Sequence, residues 1–250
     1  MVRGVTGLAR GGRRAAAVDE IEVKAGLPER AVKRALKRWK LDRDHGARRW
    51  LHFFDTPQRD LLAAGIVARA RRIRGGEHDS TVKLRPVTPA AIGEQWRAFR
   101  GFKVETDASE REIVAAASFS MPVARGVIRR VGRGRDPVGD LYDDGQRMFL
   151  LGMAGVRVDF ARTVGFPPIR AWRWKVADLG LQWPIGVELW RREDGARRIE
   201  CSVKVPLAGA AAAVREILSF LDDAGVERAT DPLARVRWAL GATPRERRRR

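Results

Sequence analysis

The sequence predicts an α+β chain in which an antiparallel β-sheet closes into a barrel and helices pack on its outside. Short segments that alternate charged and apolar residues recur in an early and a late group, separated by helical stretches. An open sheet with its charged face in water is the ordinary α+β alternative, but on nearly every such segment the charges share one face and mix acids with Arg and Lys, so closure would line an interior with opposite charges. The apolar faces then point outward, and the chain has enough candidate helices to cover them.

The first strand is read at Glu20-Ile21-Glu22-Val23-Lys24. A period of two places Glu20, Glu22 and Lys24 on one face and Ile21 and Val23 on the other. Two carboxylates about 7 Å apart along a strand suit a hard divalent cation, which prefers oxygen ligands. An exposed edge strand is the ordinary alternative. Leu27-Pro28-Glu29-Arg30 then reads as a helix entry with Pro28 in the first turn. Leu27, Ala31, Ala35 and Leu36 share its apolar side, while Lys33, Arg34, Lys37, Arg38 and Lys40 face out, as solvated cations or as phosphate contacts.

Residues 48–54 predict a strand of large side chains, with His52 in it a packed or surface histidine and not a ligand. Asp55-Thr56-Pro57 ends that strand and starts a short helix, with Thr56 as N-cap, Pro57 at its first position and Gly65 closing it, which makes Asp55 a turn residue. Segments 66–74 and 80–85 flank Gly75-Gly76-Glu77-His78-Asp79, a hairpin by its turn chemistry. Arg69 and Arg71 share a face of its first strand, and Thr81, Lys83 and Arg85 a face of its second. So many cations on one side repel unless anions are near, and the carboxylates of the first strand and a bound polyphosphate would supply them.

Residues 100–107 alternate again, with Lys103, Glu105 and Asp107 opposite Phe102, Val104 and Thr106. Ser109, with Glu112 three residues on, has the capping-box pattern and predicts a helix through an alanine-rich stretch to about Phe119. Helical segments around 123–131 and 141–151, split by a Gly/Arg/Asp/Pro loop, extend this into a helical insertion over about 109–152. Strands follow at 156–163, 169–176, 185–192 and 197–205, the last two joined by Arg192-Glu193-Asp194-Gly195, a strong hairpin signal. Arg173 and Lys175 share a face, Glu188 lies in the next strand, and the last strand sets Glu200, Ser202 and Lys204 opposite Ile199, Cys201, Val203 and Val205. Two helices, at about 210–224 and 231–240, form a C-terminal helical region over 207–242. The whole reads as one domain over 18–243, between a disordered basic leader at 1–17 and an Arg-rich tail at 244–250.

The 250 residues are 44% apolar, enough for a full core, and 50 Lys and Arg against 31 Asp and Glu give a net charge of +19. Such a balance implies a polyanionic partner: nucleic acid, polyphosphate, nucleotide or an acidic membrane surface. A single cysteine, Cys201, excludes an internal disulfide and a Cys-based zinc site and fits a reducing cytoplasm. No apolar run approaches the ~20 residues that span a bilayer, and no apolar segment follows the basic leader to make a signal peptide.

Taken together, Glu20-x-Glu22-x-Lys24, Phe54-Asp55-Thr56-Pro57 with Gly65, Arg69-x-Arg71 and Thr81-x-Lys83-x-Arg85 resemble the CYTH family of triphosphate tunnel metalloenzymes. Glu105, Arg173-x-Lys175, Val187-Glu188-Leu189 and Glu200-x-Ser202-x-Lys204 follow in the family's order, so the resemblance runs over about 19–205 and is weakest at about 122–155. It implies an antiparallel eight-stranded tunnel that binds a linear triphosphate with Mg²⁺ or Mn²⁺. It further implies Glu20, Glu22 and Glu200 as metal ligands, and Lys24, Arg69, Arg71, Lys83, Arg85, Arg173, Lys175 and Lys204 as grips on phosphate oxygens. Glu22, Lys24 and Arg69 would be the catalytic group, and Glu105 and Glu188 tunnel-lining carboxylates. Ser202 stands where many members carry a second carboxylate, so one metal position is expected to be the weaker.

The function expected is metal-dependent hydrolysis of inorganic tripolyphosphate or a small organic triphosphate. A class IV adenylate cyclase is the enzymatic alternative, and a noncatalytic polyphosphate- or RNA-binding module the other. The last has to account for inward carboxylates, which weaken anion affinity without a metal between. Contact of the basic ends with nucleic acid fits the charge, and the oligomeric state stays open.

Overall fold

The computed structural model describes residues 20–108, 113–176, 181–223 and 234–241, so the basic leader, residues 109–112 and the Arg-rich tail lie outside the described residues. The early group comprises β1 (Glu20–Leu27), α1 (Glu29–Arg38), β2 (Ala47–Asp55), α2 (Asp60–Ala63), β3 (Ile66–Ile73) and β4 (Asp79–Leu84). In the middle are α3 (Glu94–Arg97), β5 (Phe102–Ala108), β6 (Ile113–Pro122), α4 (Arg125–Val131) and α5 (Asp144–Ala154). The late group is β7 (Val164–Gly165), β8 (Ile169–Val176), β9 (Ile185–Arg191), β10 (Arg197–Val205), α6 (Ala210–Asp223) and α7 (Ala234–Leu240). No helix among the described residues is long and apolar enough to cross a membrane.

The strands hydrogen-bond in the order β3-β4-β6-β5-β1-β10-β9-β8-β2, and β2 pairs back onto β3 to close the ring. β7 only extends the ladder at the end of β2. The barrel expected from the sequence is therefore present, but with nine strands instead of eight and not wholly antiparallel. An odd ring of strands cannot alternate direction all the way round, so one parallel junction is unavoidable. It falls between β1 and β5.

Two element predictions change with it. The alanine-rich stretch expected as a helix to about Phe119 is strand β6, inserted between β4 and β5. Alanine's helix preference is worth a few tenths of a kcal/mol per residue, less than two complete hydrogen-bonded ladders provide. Residues 156–163 are not a strand: they end in a 3₁₀ turn over Phe160–Arg162, where the Asp159 carboxylate accepts from Ala161 N at 2.9 Å.

Helix α2 also starts later than Thr56-Pro57 suggests. It begins at Asp60 after Arg59, whose φ of 65° is left-handed. Thr56 Oγ1 accepts from Asp60 N at 3.0 Å, and the buried Asp55 carboxylate accepts from the backbone N–H groups of Thr56, Leu61 and Leu62 at 2.7, 2.9 and 3.0 Å. Asp55 is thus the turn residue the sequence implied. Asp55→Ala would leave those three donors without an acceptor and is expected to lower the unfolding free energy by about 3 kcal/mol, read from urea denaturation. Gly65 ends α2 at φ 72°, and a Cβ there would run into the Arg85 carbonyl oxygen.

Apolar residues cover the outside in two clusters. Ile21, Val23, Ala25 and Leu27 lie under α1 and α6, where Trp39 stacks on Phe220 at 4.7 Å between ring centroids. Ile66, Ala68, Ala70, Val82 and Leu84 pack with Ile128 and Val131 of α4 and Phe149 and Leu150 of α5. Burial of Phe149 or Leu150 contributes about 1.5–3 kcal/mol each. α5 is fixed by a capping box between Asp143 and Gln146, and Gln146 Nε2 reaches the carbonyls of Ser80 and Phe119 at 3.3 and 3.1 Å, tying the helix to β4 and β6.

The third cluster is different: Leu51, Phe53, Ile169, Ala171 and Trp190 pack with Ala239 and Leu240 of α7. Their strand positions alternate with the outward residues, so they face the lumen. Helix α7 therefore fills one end of the barrel.

Candidate functional site

The ladder registers carry one inward face round the ring. Glu22 pairs with Lys204 and Lys24 with Ser202, Glu200 with Glu188, and Glu188 with Arg173. On the other side Arg69 pairs with Thr81, Arg71 with Asp79, Lys83 with Ser118, and Ser118 with Lys103. Directly opposed residues share a face, so Glu22, Lys24, Arg69, Arg71, Lys83, Glu105, Arg173, Lys175, Glu188, Glu200 and Lys204 are brought into one chamber. Glu20 opens β1 opposite Glu105, and its side chain lies outside the described part. Arg85 is buried one residue past β4, beyond the ladder, with its N–H on Gly65 O at 2.8 Å.

Inside, the charges pair along and across strands. Glu22 meets Lys24 at 2.8 Å, and Glu105 lies between Lys83 at 3.4 Å and Lys204 at 3.7 Å. Arg71 holds Asp79 at 2.6 Å. Deeper, Arg235 of α7 reaches Glu200 at 2.5 Å and Glu188 at 3.1 Å, its guanidinium 4.2 Å over the Trp190 ring, while Arg49 approaches Glu188 at 3.6 Å. At the other end a recess of about 350 Å³ opens between His45, Arg49, Arg173, Trp174 and the exposed Lys175. Gly186 keeps this wall open, because a Cβ there would stand 3.3 Å from both Arg173 Nη2 and Ser202 Oγ.

Cations dominate the chamber, and two of them are incompletely satisfied. The Nε atoms of Arg49 and Arg69 are buried without a hydrogen-bond partner. Burial lowers the pKa of the Arg69 guanidinium, and neighbouring Arg71 pushes the same way against Asp79. Burial does the same to Arg49, with Glu188 opposing and Arg71 and Arg173 adding to it.

The two deep carboxylates split. Burial raises Glu188, but Arg235, Arg49 and Arg173 together pull it below the usual carboxylate range. Glu200 stays raised by burial, with Glu22 and Glu188 adding to it and Arg235 and Lys24 only partly offsetting.

Carboxylate oxygens are the donors a hard divalent cation prefers. Among the described residues no three His, Cys, Asp or Glu side chains gather as one metal cluster. That donor set still fits an ion such as Mg²⁺, which is commonly held by one or two carboxylates and completes its shell with substrate phosphates and water. Glu22 and Glu200 could hold it: Glu22 is near enough to add to the rise that burial imposes on the Glu200 carboxyl, and a cation between them would relieve both.

Sequence reading missed Arg49, Asp79 and Arg235. Arg49 shares a face with Leu51 and Phe53 in a strand whose large apolar residues hide its parity, and only the inward packing of those two against α7 exposes it. Asp79 belongs to the hairpin turn by sequence pattern but is the first residue of β4. No local signal distinguishes Arg235 in a short C-terminal helix from a solvated arginine.

No family model matches the chain, and no curated protein does either. Solved structures do. A candidate adenylate cyclase from Bacillus halodurans superposes with a TM-score of 0.57 at 11% identity, over 88% of this chain and 98% of its own. HpAC1 from Hippeastrum, a candidate adenylyl cyclase with a dominant triphosphatase activity, gives 0.54 at 14% identity over 84% and 90%. At these identities the likeness establishes a shared barrel fold.

Proposed function

We propose that the chain is a divalent-metal-dependent triphosphatase acting on inorganic tripolyphosphate or a small organic triphosphate. The observation that carries this reading is the pair of inward guanidiniums, Arg49 and Arg69, with buried nitrogens that have no partner. A linear phosphate chain offers the acceptors they need. Arg71, Lys83, Arg173, Lys175 and Lys204 line the same chamber, and charge-assisted bonds to phosphate oxygens are about twice as strong as neutral ones.

In the reaction, a water oxygen attacks the terminal phosphorus in line and the bridging P–O bond breaks, so tripolyphosphate gives orthophosphate and diphosphate. Arg69 and Lys24 hold the terminal phosphoryl oxygens, where charge shifts in the transition state. Arg173 and Lys175 secure the inner phosphates at the open mouth. A divalent ion held by Glu20, Glu22 and Glu200 would supply charge neutralisation at the phosphoryl group. Glu22 in turn fixes the Lys24 ammonium at 2.8 Å.

Cyclisation of ATP is the second reading, favoured by the name of the Bacillus halodurans structure. The dominant triphosphatase activity of HpAC1 favours hydrolysis on this fold. The test is incubation of purified protein with tripolyphosphate, ATP or 5′-triphosphate RNA, with Mg²⁺ or Mn²⁺, assayed for phosphate and cyclic AMP. Phosphate release that requires the metal is expected. Cyclic AMP without phosphate would establish the cyclase instead, and binding without turnover of any substrate would establish a noncatalytic module.

A further inference from the structure

Outside the barrel, on the side of β2 and β3 away from the lumen, a recess of about 280 Å³ is lined by His52, Arg72, Arg125, Arg129, Gly132 and Arg133. Arg72 follows Arg71 on β3 and so points the opposite way, out of the barrel. Arg125 and Arg129 are one turn apart on α4 and therefore on one side of it, and Arg133 follows that helix. Among the described residues no carboxylate lines the recess. The acid next along the chain, Asp136, is held by Arg130 at 2.6 Å.

We propose that this recess is a second anion site, separate from the lumen, that takes a compact phosphoryl anion such as orthophosphate or diphosphate. Arg72 forms its floor: its guanidinium is held 4.8 Å over the Trp50 ring, while its Nε is buried with no hydrogen-bond partner. The other three guanidiniums approach from α4 and the loop after it. Like charges gathered against a half-buried one cost free energy in the empty protein, and an anion converts that cost into charge-assisted hydrogen bonds. Burial, with Arg125, Arg129 and Arg133 adding to it, lowers the pKa of Arg72. The volume selects for size, since sites for drug-sized ligands begin at about 300 Å³. One or two phosphoryl groups fit better than a whole nucleotide, and the Trp50 face is already covered by Arg72.

The test is a titration of the ¹⁵N-labelled protein with orthophosphate, observed at the arginine Nε–H resonances, with Arg72→Lys assigning the Arg72 signal. A saturable shift of that signal is expected. Arg125→Gln combined with Arg129→Gln, both exposed positions, should weaken it about tenfold or more while leaving the Arg69 response intact. The Arg69 signal reports the lumen separately, so failure at one site does not mask the other. An unmoved Arg72 signal, an unchanged titration in the double variant, or an equal shift from chloride at matched ionic strength would each overturn the assignment. So would displacement of phosphate by a single-stranded oligonucleotide without a terminal phosphate at lower concentration than diphosphate requires, which would make the recess a nucleic-acid contact.

Discussion

Arg69→Met is expected to lower kcat/KM for tripolyphosphate by about 10³-fold while making the free protein about 1 kcal/mol more stable. The two effects share one cause. Arg69 is a charge taken partly out of water, its Nε has no partner, and Arg71 repels it more than Asp79 attracts it. Methionine fills similar volume without the desolvated charge, so the folded state gains. The same substitution removes a preorganised cation from the place where phosphoryl charge develops, and no neighbour can swing in to replace it because Arg71 is held by Asp79. Steady-state phosphate release and urea denaturation measure the pair. A variant that loses stability and activity together would mean that Arg69 is a structural residue.

Arg235→Ala should act in the opposite sense on stability, with a loss of about 3 kcal/mol. Arg235 is the ion-pair partner of both Glu200 and Glu188, and its guanidinium covers Trp190. Alanine leaves two buried carboxylates short of a cation. The pH dependence identifies the mechanism. In the wild type Glu188 is depressed, so its contribution is present above the ordinary carboxylate range and is lost as pH falls through its lowered value. Glu200 is raised and slopes the other way, since its proton is bound more tightly in the folded state and stability declines as pH rises through that window. Without Arg235 each carboxyl loses its largest stabilising charge and rises, which tilts both contributions further downward with rising pH. The deficit of Arg235→Ala should therefore be larger at about pH 7.5 than at about pH 5. Denaturation of variant and wild type at the two pH values checks it, and an equal deficit at both would reduce Arg235 to a packing residue.

Much of the chamber was legible because a strand with one charged and one apolar face announces its parity. Glu22-x-Lys24, Arg69-x-Arg71, Arg173-x-Lys175 and Glu200-x-Ser202-x-Lys204 all land on the inward side for that reason, and β8 and β10 keep the bounds their alternation predicted. What failed lacks that signal. Residues 115–117 are three consecutive alanines, which mark neither face of a strand, so the helix preference of alanine misled until the ladders to β4 and β5 were visible. The strand count and the parallel junction depend on which edges meet, a long-range property that no local pattern encodes. Arg235 is harder still: it reaches the site from the far end of the chain through the docking of α7, and its role exists only once Trp190, Glu188 and Glu200 are assembled.

The placement of α7 decides how any chain-like guest must travel. With Ala239 and Leu240 seated among Leu51, Phe53 and Trp190, the described residues make the barrel a sac closed at that end. Under the proposed function a linear anion would enter end first through the mouth beside Arg173 and Lys175, and whatever is cut from it would leave by the same door. Long polymers would not thread through. Only their ends would be processed, and each departing fragment would have to clear the entrance before the next end could be admitted.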